Sequence, residues 1–518
     1  MKNNVKGIYN KSKRGILQVV FGRTMIIIVL LALQFFILFG LMFSFEKYIP
    51  YFFGNVTIFS AIMLLFVLNT ETDPTIKLSW CVFIGVIPVF GALMYLFTRL
   101  DLGHRIVQKF IGKSIEQSKD YAKFDDALYE KIKNEDKGFY NLCAYLKNKG
   151  CFPVFENSDC TYFPFGEDKY KQMLIQLENA QKFIFLEYFI IKEGVFWQNV
   201  LDILIKKAEQ GVDVRVLYDG TNAVANLPYG YSKKLEKANI KCKMYAPLRP
   251  FVSTSYNNRD HRKILVIDGK VAFTGGVNLA DEYINLTHPY GVWKDTAIMV
   301  KGQAVAGFTR MFLEMWNYNE KQKDYIPYLE TFETSSCGYV IPYGDNPMDK
   351  DNLQENVYLD IINRAKDYVY IMTPYLILDR TMENALCFAA QRGVDVRLIL
   401  PKKPDHIYAY VLAEDHYPRL TNAGVKIYLY SPGFIHAKVF LSDEIIASVG
   451  SANLDWRSLY LHFECGCLMY KTNCIKHIKG DFDKTFKESY LINPDDIKKR
   501  NFLSRIAGFL LKAAAPLM

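Results

Sequence analysis

The residues best suited to chemistry in this sequence occur as two copies of one polar cluster. Each copy has a His-x-Lys pair, an aspartate five residues after the lysine, and a Gly-(Gly/Ser)-x-Asn stretch that begins fourteen residues after the histidine. The first copy comprises His261, Lys263, Asp268, Gly275, Gly276 and Asn278. The second copy comprises His436, Lys438, Asp443, Gly450, Ser451 and Asn453. Identical spacing in both copies argues for a duplicated functional site rather than for chance surface pairs.

Strand geometry explains this spacing. Residues i and i+2 of a strand share a face, so His261 and Lys263 point the same way. Asp268 falls on the opposite face and forms a predicted hairpin turn with Gly269, so we do not expect it to touch a ligand beside the lysine. The returning strand brings small residues, which allow a ligand close to the backbone, and the amide donor of Asn278 next to the histidine. Each copy is therefore a half-site for one anion.

Two half-sites facing each other would hold a tetrahedral phosphate between two imidazoles and two ammonium groups. One histidine can attack phosphorus to form a phosphohistidine, while the other protonates the leaving alcohol and later deprotonates the acceptor. The positive groups stabilise charge on the equatorial oxygens. This scheme needs no metal and no other cofactor. A zinc site among His462, Cys465, Cys467, Cys474 and His477 is an alternative, but their spacing matches no familiar metal signature.

The secondary-structure elements that must position these groups also occur twice in the sequence. Residues 182–191 form a continuous apolar run typical of a strand buried on both faces, followed by a helical pattern and a second strand run. Residues 367–375 begin the same order again, and the pentapeptide Gly-Val-Asp-Val-Arg occurs at 211 and at 393. The sequence therefore predicts an α/β fold with two tandem domains related by internal duplication and an active site at their interface.

Composition points to a membrane segment before these domains. The chain has 518 residues, of which 50% are hydrophobic and 23% charged, and its mean hydropathy is +0.00. These values exclude a disordered, collagen-like or small disulfide-stapled protein. Apolar runs at 25–45, 51–68 and 78–98 predict N-terminal transmembrane helices, the last of which contains Pro88. A cleaved signal peptide or a buried helix pair is the alternative.

Charge places both ends of this membrane segment on one side. Basic residues precede the first apolar run and follow the last, and the positive-inside rule puts both groups in the cytoplasm. Three full crossings cannot satisfy both, so we expect two crossings with 51–68 as a re-entrant or interfacial segment. Ten cysteines without framework spacing suit a reducing compartment. We therefore expect a multi-pass membrane protein with cytoplasmic catalytic domains.

The two complete His-x-Lys-x4-Asp motifs resemble those of the phospholipase D superfamily. Within it, the chain resembles the bacterial cardiolipin synthases over nearly its whole length. The segments that carry this resemblance are 73–75, 78–80, 88–91, 215–220, 260–264, 275–283, 293–296, 455–458 and 463–464. Two features depart from the family pattern: Gly276 stands where serine is usual, and a third apolar run adds to the two spans commonly drawn.

This resemblance implies transfer of a phosphatidyl group from one phosphatidylglycerol to the glycerol hydroxyl of another, with release of glycerol. The resemblance also implies that every specified residue of each His-x-Lys-x4-Asp motif is catalytic, including Asp268 and Asp443. In the superfamily an acid after each motif steadies the histidine of the opposite copy; Glu464 matches that role, and Asp295 is the analogous candidate in the first copy. The pseudo-symmetric sequence leaves the nucleophile open, but the resemblance favours His261, with His436 as general acid and then base.

The predicted organisation has five parts. They are a basic segment at 1–24, a membrane segment at 25–114, phospholipase D-like domains at 115–335 and 336–495, and a basic amphipathic tail at 496–518. We expect the tail to lie on an anionic bilayer surface. A helix docked on the domain is the alternative.

Three functions follow from these observations. The leading one is a phosphatidyltransferase of the bacterial cell membrane whose partners are phosphatidylglycerol and anionic membrane lipid. A phospholipase D-type phosphodiesterase that hydrolyses phospholipid or nucleic acid would use the same chemistry with water. No stacking platform or groove-reading motif supports nucleic acid as a partner, and two intact motifs argue against a catalytically silent scaffold. The oligomeric state stays open.

Overall fold

The N-terminal part of the chain is a series of helices. The computed structural model describes residues 23–49, 56–100, 102–247, 257–321, 323–349, 351–498, 500 and 502–514. The first helices are α1 (Arg23–Glu46), α2 (Val56–Leu68), α3 (Pro74–Val86) and α4 (Pro88–Leu100). Within the described ranges, no helix has both the length and the apolar character needed to cross a membrane. Nearly all of the predicted basic segment, and residues 51–55 of the second apolar run, lie outside them.

The continuous helix predicted over 78–98 is wrong, because the chain changes direction between α3 and α4. Pro88 lacks an N–H, and its ring would clash with a carbonyl in the preceding turn, so it begins the second helix rather than continuing the first. The two helices then pack closely: a Cβ at Gly91 would lie 2.9 Å from the Cα atom of Ile84. The third apolar run is thus a pair of short helices.

The first α/β domain follows these helices. Its helices are α5 (Leu102–Lys119), α6 (Asp126–Glu135), α7 (Lys137–Gly150), α8 (Gly166–Glu178), α9 (Val195–Glu209), α10 (Gly220–Ala225), α11 (Tyr231–Glu236) and α12 (Val305–Asn317). Its strands are β1 (Ser158–Phe163), β2 (Phe183–Tyr188), β3 (Asp213–Asp219), β4 (Lys241–Tyr245), β5 (Arg259–Asp260), β6 (Lys263–Ile267), β7 (Val271–Gly275), β8 (Val292–Lys294) and β9 (Ala297–Gly302). Seven of them form a mixed sheet in the order β1-β9-β7-β6-β2-β3-β4.

The second α/β domain repeats this plan. Its strands are β10 (Tyr339–Asp345), β11 (Tyr368–Met372), β12 (Asp395–Pro401), β13 (Lys426–Tyr430), β14 (Gly433–Ile435), β15 (Val439–Ser442), β16 (Ile446–Gly450), β17 (His462–Tyr470) and β18 (Ser489–Leu491). Its helices, with the C-terminal one, are α13 (Leu353–Arg364), α14 (Arg380–Gln391), α15 (Ile407–Asn422), α16 (Trp456–Tyr460), α17 (Ile475–Lys487), α18 (Pro494–Lys498) and α19 (Phe502–Ala514). The sheet order β10-β17-β16-β15-β11-β12-β13-β18 matches the first sheet strand for strand, with β18 added at one edge.

The apolar runs read from the sequence form the central strands. Every residue of β2 is buried, and β2 pairs in parallel with β3 and antiparallel with β6. Its counterpart β11 pairs in the same way with β12 and β15. These central strands position the two polar clusters, because their neighbours β6 and β15 begin two and three residues after the motif histidines.

The predicted domain boundary at 114/115 falls inside a helix. Helix α5 runs from residue 102 to 119 and packs against α12 of the first domain. The hydroxyl of Ser114 donates to the carbonyl of Glu314 at 2.9 Å, and the hydroxyl of Ser118 donates to the Glu314 carboxylate at 2.5 Å. The C-terminal half of α5 therefore belongs structurally to the first domain.

Candidate active site

Each motif histidine follows a short strand that pairs with the other domain. Strand β5 pairs in parallel with the start of β17, and the N–H of His261 donates to the carbonyl of Phe463 at 3.0 Å. Strand β14 pairs in parallel with β8, and the N–H of His436 donates to the carbonyl of Lys294 at 2.7 Å. The backbone of each histidine is thus fixed by the opposite half of the molecule.

The same crossed arrangement supplies a carboxylate to each imidazole. Glu464 lies 2.8 Å from the Nδ1 atom of His261, and Asp295 lies 2.7 Å from the Nδ1 atom of His436. A carboxylate accepts from Nδ1–H, so this contact favours the tautomer whose Nε2 atom carries the lone pair. Both acids, proposed on the family resemblance, therefore lie where they can orient the histidine of the opposite copy.

Burial lowers the pKa of both motif imidazoles. The side chains of His261 and His436 are each 9% exposed. Loss of solvation, followed by the charge of Lys263, holds the pKa of His261 well below its usual value. The pKa of His436 is also lowered, by burial first and then by Lys438, while Asp295 acts in the opposite direction. Each imidazole also has a carboxylate partner that favours its protonated form, so the choice of His261 as nucleophile stays a prediction.

The two motif lysines lie against the histidines that precede them. The Lys263 ammonium group donates to the main-chain carbonyl of His261. That of Lys438 contacts the carbonyl of His436 and lies 2.9 Å from its Nδ1 atom. Burial lowers the pKa of Lys263 to about 8 and that of Lys438 to about 7. Bringing an anionic phosphate to these groups would favour their charged forms.

The motif aspartates hold turns and do not reach the histidines. The carboxylate of Asp268 accepts three backbone N–H groups from residues 181–183, at 2.7–2.8 Å. Asp443 accepts the equivalent three from residues 366–368, at 2.8–3.0 Å. Both aspartates have left-handed backbone, with φ of 55° and 54°. The hydrogen bonds of these carboxylates therefore contradict the expectation that Asp268 and Asp443 are catalytic. Each aspartate instead holds the turn of its hairpin against the start of the neighbouring central strand.

The small-residue stretches differ between the halves in a matched way. The hydroxyl of Ser451 donates to Glu464 at 2.5 Å. At Gly276, the equivalent position, a Cβ would lie only 2.1 Å from the Oδ1 atom of Asp295. The aspartate instead accepts the N–H of Thr296 at 2.8 Å. The unusual glycine thus leaves space for the shorter acid of this half.

The motif asparagines are partly engaged by the protein itself. The amide of Asn278 donates to the Tyr283 hydroxyl at 2.8 Å, and its oxygen accepts the N–H of Ile190 at 3.1 Å. Asn453 donates to the Asp455 carboxylate at 3.1 Å. Each amide keeps one further N–H, so the expected donation to a phosphate stays a prediction.

Glycines of the same stretches allow close backbone packing. A Cβ at Gly275 would lie 2.4 Å from the carbonyl oxygen of Thr296, and a Cβ at Gly450 would lie 2.5 Å from that of Cys465. These glycines bring β7 against β9 and β16 against β17, which carry or precede the carboxylates. Their direct effect is therefore on the position of the acids, and contact with substrate stays a prediction.

Sequence reasoning missed a buried lysine beside the first half-site. Lys169 of α8 is 1% exposed. Its ammonium group donates to the Tyr188 hydroxyl at 3.0 Å and to the carbonyl of Val277 at 3.1 Å. Burial lowers its pKa to about 7, with Asp295 raising and Lys263 lowering it. A lone lysine on an amphipathic helix gives no sequence signal of such a position.

Aromatic and imidazole rings complete the walls around the histidines. Trp293 lies with its ring centroid 5.7 Å from that of His436, and His462 lies 5.5 Å from His261. Each stands two residues before the acid of its strand, so strand alternation could have found both. Phe189 packs edge-on against His261 at 4.9 Å. These rings thus pack against the histidine of each half-site.

Comparison with known proteins agrees with this arrangement. A family model described as cardiolipin synthase, PLD-like domain, matches residues 173–316 and 358–486, and one described as phospholipase D-nuclease N-terminal matches residues 56–99. An uncharacterized protein of Streptococcus mutans is 50% identical over 457 residues, which are 88% of this chain and 99% of the relative. A cardiolipin synthase of Alkalihalophilus pseudofirmus is 32% identical over 470 residues, 89% of this chain and 92% of the relative. The crystal structure of phosphatidylserine synthase from Haemophilus influenzae shares the fold, with a TM-score of 0.57 at 14% identity over 73% of this chain and 97% of that chain.

Proposed function

Because the chain belongs to the cardiolipin synthase family of the phospholipase D superfamily, we propose that it transfers a phosphatidyl group between two molecules of phosphatidylglycerol. The products are cardiolipin and glycerol. One observation carries this proposal: the two motif histidines, each held by a carboxylate of the opposite half, lie near each other and near two lysines. That set of groups suits a double displacement at phosphorus.

In the first step the Nε2 atom of His261 attacks phosphorus. A P–N bond forms, the P–O bond to the headgroup glycerol breaks, and protonated His436 gives its proton to the departing oxygen. The carboxylate of Glu464 stabilises the positive charge that develops on the His261 ring. Lys263 and Lys438 neutralise the equatorial phosphoryl oxygens, where charge is spread in the transition state.

In the second step a hydroxyl of another phosphatidylglycerol takes the place of the departed glycerol. Neutral His436 removes the hydroxyl proton, the oxygen attacks phosphorus, and the P–N bond to His261 breaks. His436 ends this step protonated, ready to act as acid again, and Asp295 supports that form. Transfer instead of hydrolysis requires that the alcohol outcompete water, and the 9% exposure of both histidine side chains restricts water at the reacting atoms.

The decisive assay uses purified protein in detergent with phosphatidylglycerol as the sole lipid. Cardiolipin and glycerol in equal amounts are the expected products. Phosphatidic acid and glycerol would instead indicate a hydrolase, and no product would indicate a scaffold. Phosphatidylglycerol labelled in its phosphate should leave label on the wild-type protein after an acid-free quench, and His261→Ala should remove it. A labelled His261→Ala variant would contradict the assignment of the nucleophile.

We also propose that the N-terminal helices attach the enzyme to the bilayer. Helix α1 exposes a long series of apolar side chains, among them Phe36 and Leu41, which are 69% and 60% exposed. Val86 of α3 is 73% exposed, and α3 contacts the C-terminal helix α19. Such a contiguous apolar surface is typical of a membrane interaction site. Sedimentation with membranes after alkaline carbonate washing tests this attachment, since release into the supernatant would contradict it.

The C-terminal helix docks on the second domain. Arg500, just before α19, contacts the Asp415 carboxylate at 3.2 Å and the Val411 carbonyl at 2.8 Å, which fixes the helix on α15. Its other side exposes Phe502 and Phe509, which are 71% and 76% exposed. We propose that this face rests on the bilayer.

The cytoplasmic location of the catalytic domains is likewise our proposal. Exposed Cys337 provides a test. A membrane-impermeant thiol reagent should label it in opened but not in intact cells, and labelling in intact cells would place the domains on the other side.

A further inference from the structure

His462 is a buried imidazole that the proposed reaction does not use. It lies at the start of β17, two residues before Glu464, so the two side chains share a face of the strand. Its Nδ1 atom is 3.9 Å from the Oε1 atom of Glu464, and its ring centroid is 5.5 Å from that of His261. The side chain is 10% exposed, and among the described residues neither ring nitrogen has a hydrogen-bond partner.

A second buried histidine shows how such a ring is usually satisfied. His416 has a side chain that is 6% exposed and also faces a carboxylate, with its Nδ1 atom 2.9 Å from Glu383. Its Nε2 atom accepts the N–H of Leu378 at 3.3 Å, so both nitrogens are engaged. Buried polar atoms without partners cost free energy unless something binds them. His462 therefore has unused ligand capacity beside the catalytic histidine.

The other half of the active site lacks this feature. Trp293 takes the place equivalent to His462, two residues before Asp295 and against the ring of His436. Indole offers an N–H donor and no lone pair, so it cannot bind a cation through nitrogen. The asymmetry confines the extra ligand to the His261 side.

We propose that His261, His462 and Glu464 form a binding site for a zinc-like divalent ion, and that occupation of this site inhibits the enzyme. One ligand atom from each of the three residues can be chosen so that all lie within 4.8 Å of one another. Two imidazoles and one glutamate are a donor set that Zn²⁺ accepts, and ligand atoms around a tetrahedral ion lie roughly 3.4 Å apart. Small side-chain rotations would bring the three ligand atoms from within 4.8 Å of one another to that tetrahedral separation.

The inhibition follows from the tautomer of His261, and this part rests on the proposed function. In the structure its Nδ1 atom faces Glu464 at 2.8 Å, which leaves the Nε2 lone pair for attack. A metal that binds at Nδ1 needs a lone pair on that atom, so the ring proton moves from Nδ1 to Nε2, with no net gain or loss of protons. Protonated Nε2 cannot attack phosphorus. The nearby ammonium group of Lys263 opposes a divalent ion, so we expect reversible inhibition rather than a permanently bound cofactor.

The test measures binding and activity separately on the full-length protein in detergent. Competition with a chromophoric indicator should give one Zn²⁺ bound per chain, and EDTA should restore activity. His462→Phe, which keeps a ring of similar size, should weaken Zn²⁺ binding by about tenfold or more. His477→Phe removes an exposed histidine elsewhere and serves as the matched control, with unchanged binding.

Spectroscopy with Co²⁺ gives a readout that needs no activity. Wild-type protein should show the visible bands of a low-coordinate Co²⁺ site, and His462→Phe should lack them. Equal Zn²⁺ affinity and equal inhibition in wild type and His462→Phe would overturn the proposal, as would Zn²⁺ bound without any contribution from His462. Zn²⁺ binding in a protein that makes no cardiolipin would retain the site and reject only the proposed function.

Discussion

The unusual glycine of the first half-site allows a sharp test of the crossed acid arrangement. In Gly276→Ala the new Cβ would lie 2.1 Å from the Oδ1 atom of Asp295, which is less than any real contact allows. The backbone beside Gly276 is held in the sheet, so the carboxylate of Asp295 has to rotate away. Its 2.7 Å contact with the Nδ1 atom of His436 is then lost.

The expected loss of turnover follows from losing the contact between Asp295 and His436. A hydrogen bond to a charged group contributes about 1.5–3 kcal/mol, and each 1.36 kcal/mol of barrier corresponds to tenfold in rate. Turnover by Gly276→Ala should therefore fall about 10- to 150-fold. The stability cost should stay at about 1–3 kcal/mol, since one buried carboxylate is left poorly paired, and the protein should remain folded.

The assay is cardiolipin formation from phosphatidylglycerol as a function of pH. Asp295 raises the pKa of His436, so its displacement lowers that pKa further. Protonated His436 is then lost at lower pH, and the alkaline limb of the rate profile should move towards lower pH. Ser451→Ala is the comparison: it removes one hydrogen bond to Glu464 but adds no atom against that carboxylate, so turnover should fall less than in Gly276→Ala. Wild-type turnover and an unshifted profile in Gly276→Ala would refute the reasoning.

Three further predictions concern charge, the hairpin turns and the C-terminal helix. The pKa values of Lys263 and Lys438 are lowered to about 8 and about 7, so their ammonium forms are lost as pH rises through this range. The KM for phosphatidylglycerol should therefore increase with pH. A flat KM between pH 6.5 and 8.5 would contradict this. Asp268→Ala should lower thermal stability by about 1–3 kcal/mol while folded protein keeps near-normal turnover, and a large loss of turnover would return this aspartate to the chemistry. Arg500→Ala removes the ion pair to Asp415 at 3.2 Å, so limited proteolysis should cleave near α19 faster than in wild type; unchanged cleavage would mean that other contacts hold the helix.

The sequence predicted most of the chemistry because the site uses short-range patterns. Strand alternation places His261 and Lys263 together, and the five-residue offset places Asp268 in the turn, which the hydrogen bonds of its carboxylate agree with. The family resemblance added Glu464, and the structure shows the contact across the domain interface. Pairing between domains has no local signal, so composition and periodicity alone could not have supplied it.

The features that escaped prediction depend on tertiary contacts or on a local exception. Lys169 is buried by elements distant in the chain, and its helix carries no mark of that burial. The apolar run around Pro88 predicts one helix, but the proline lacks an N–H and begins the second of two short helices. Sequence proximity groups His462 with nearby cysteines, whereas strand alternation pairs it with Glu464 and the interface brings it to His261. In each case the sequence shows the residue type but not the residue that it contacts in the fold.

The crossed contacts explain why the duplication has kept both halves interdependent. Each half contains a complete His-x-Lys pair, yet the backbone and the Nδ1 atom of each histidine are held by the other half. An isolated half would leave its histidine free to adopt either tautomer and its acid without an imidazole to orient. The acids can therefore diverge, as Asp295 with Gly276 and Glu464 with Ser451 show, only if each stays matched to the small residue beside it. This coupling lets two similar half-sites take different roles, because a change in one acid alters only the opposite histidine.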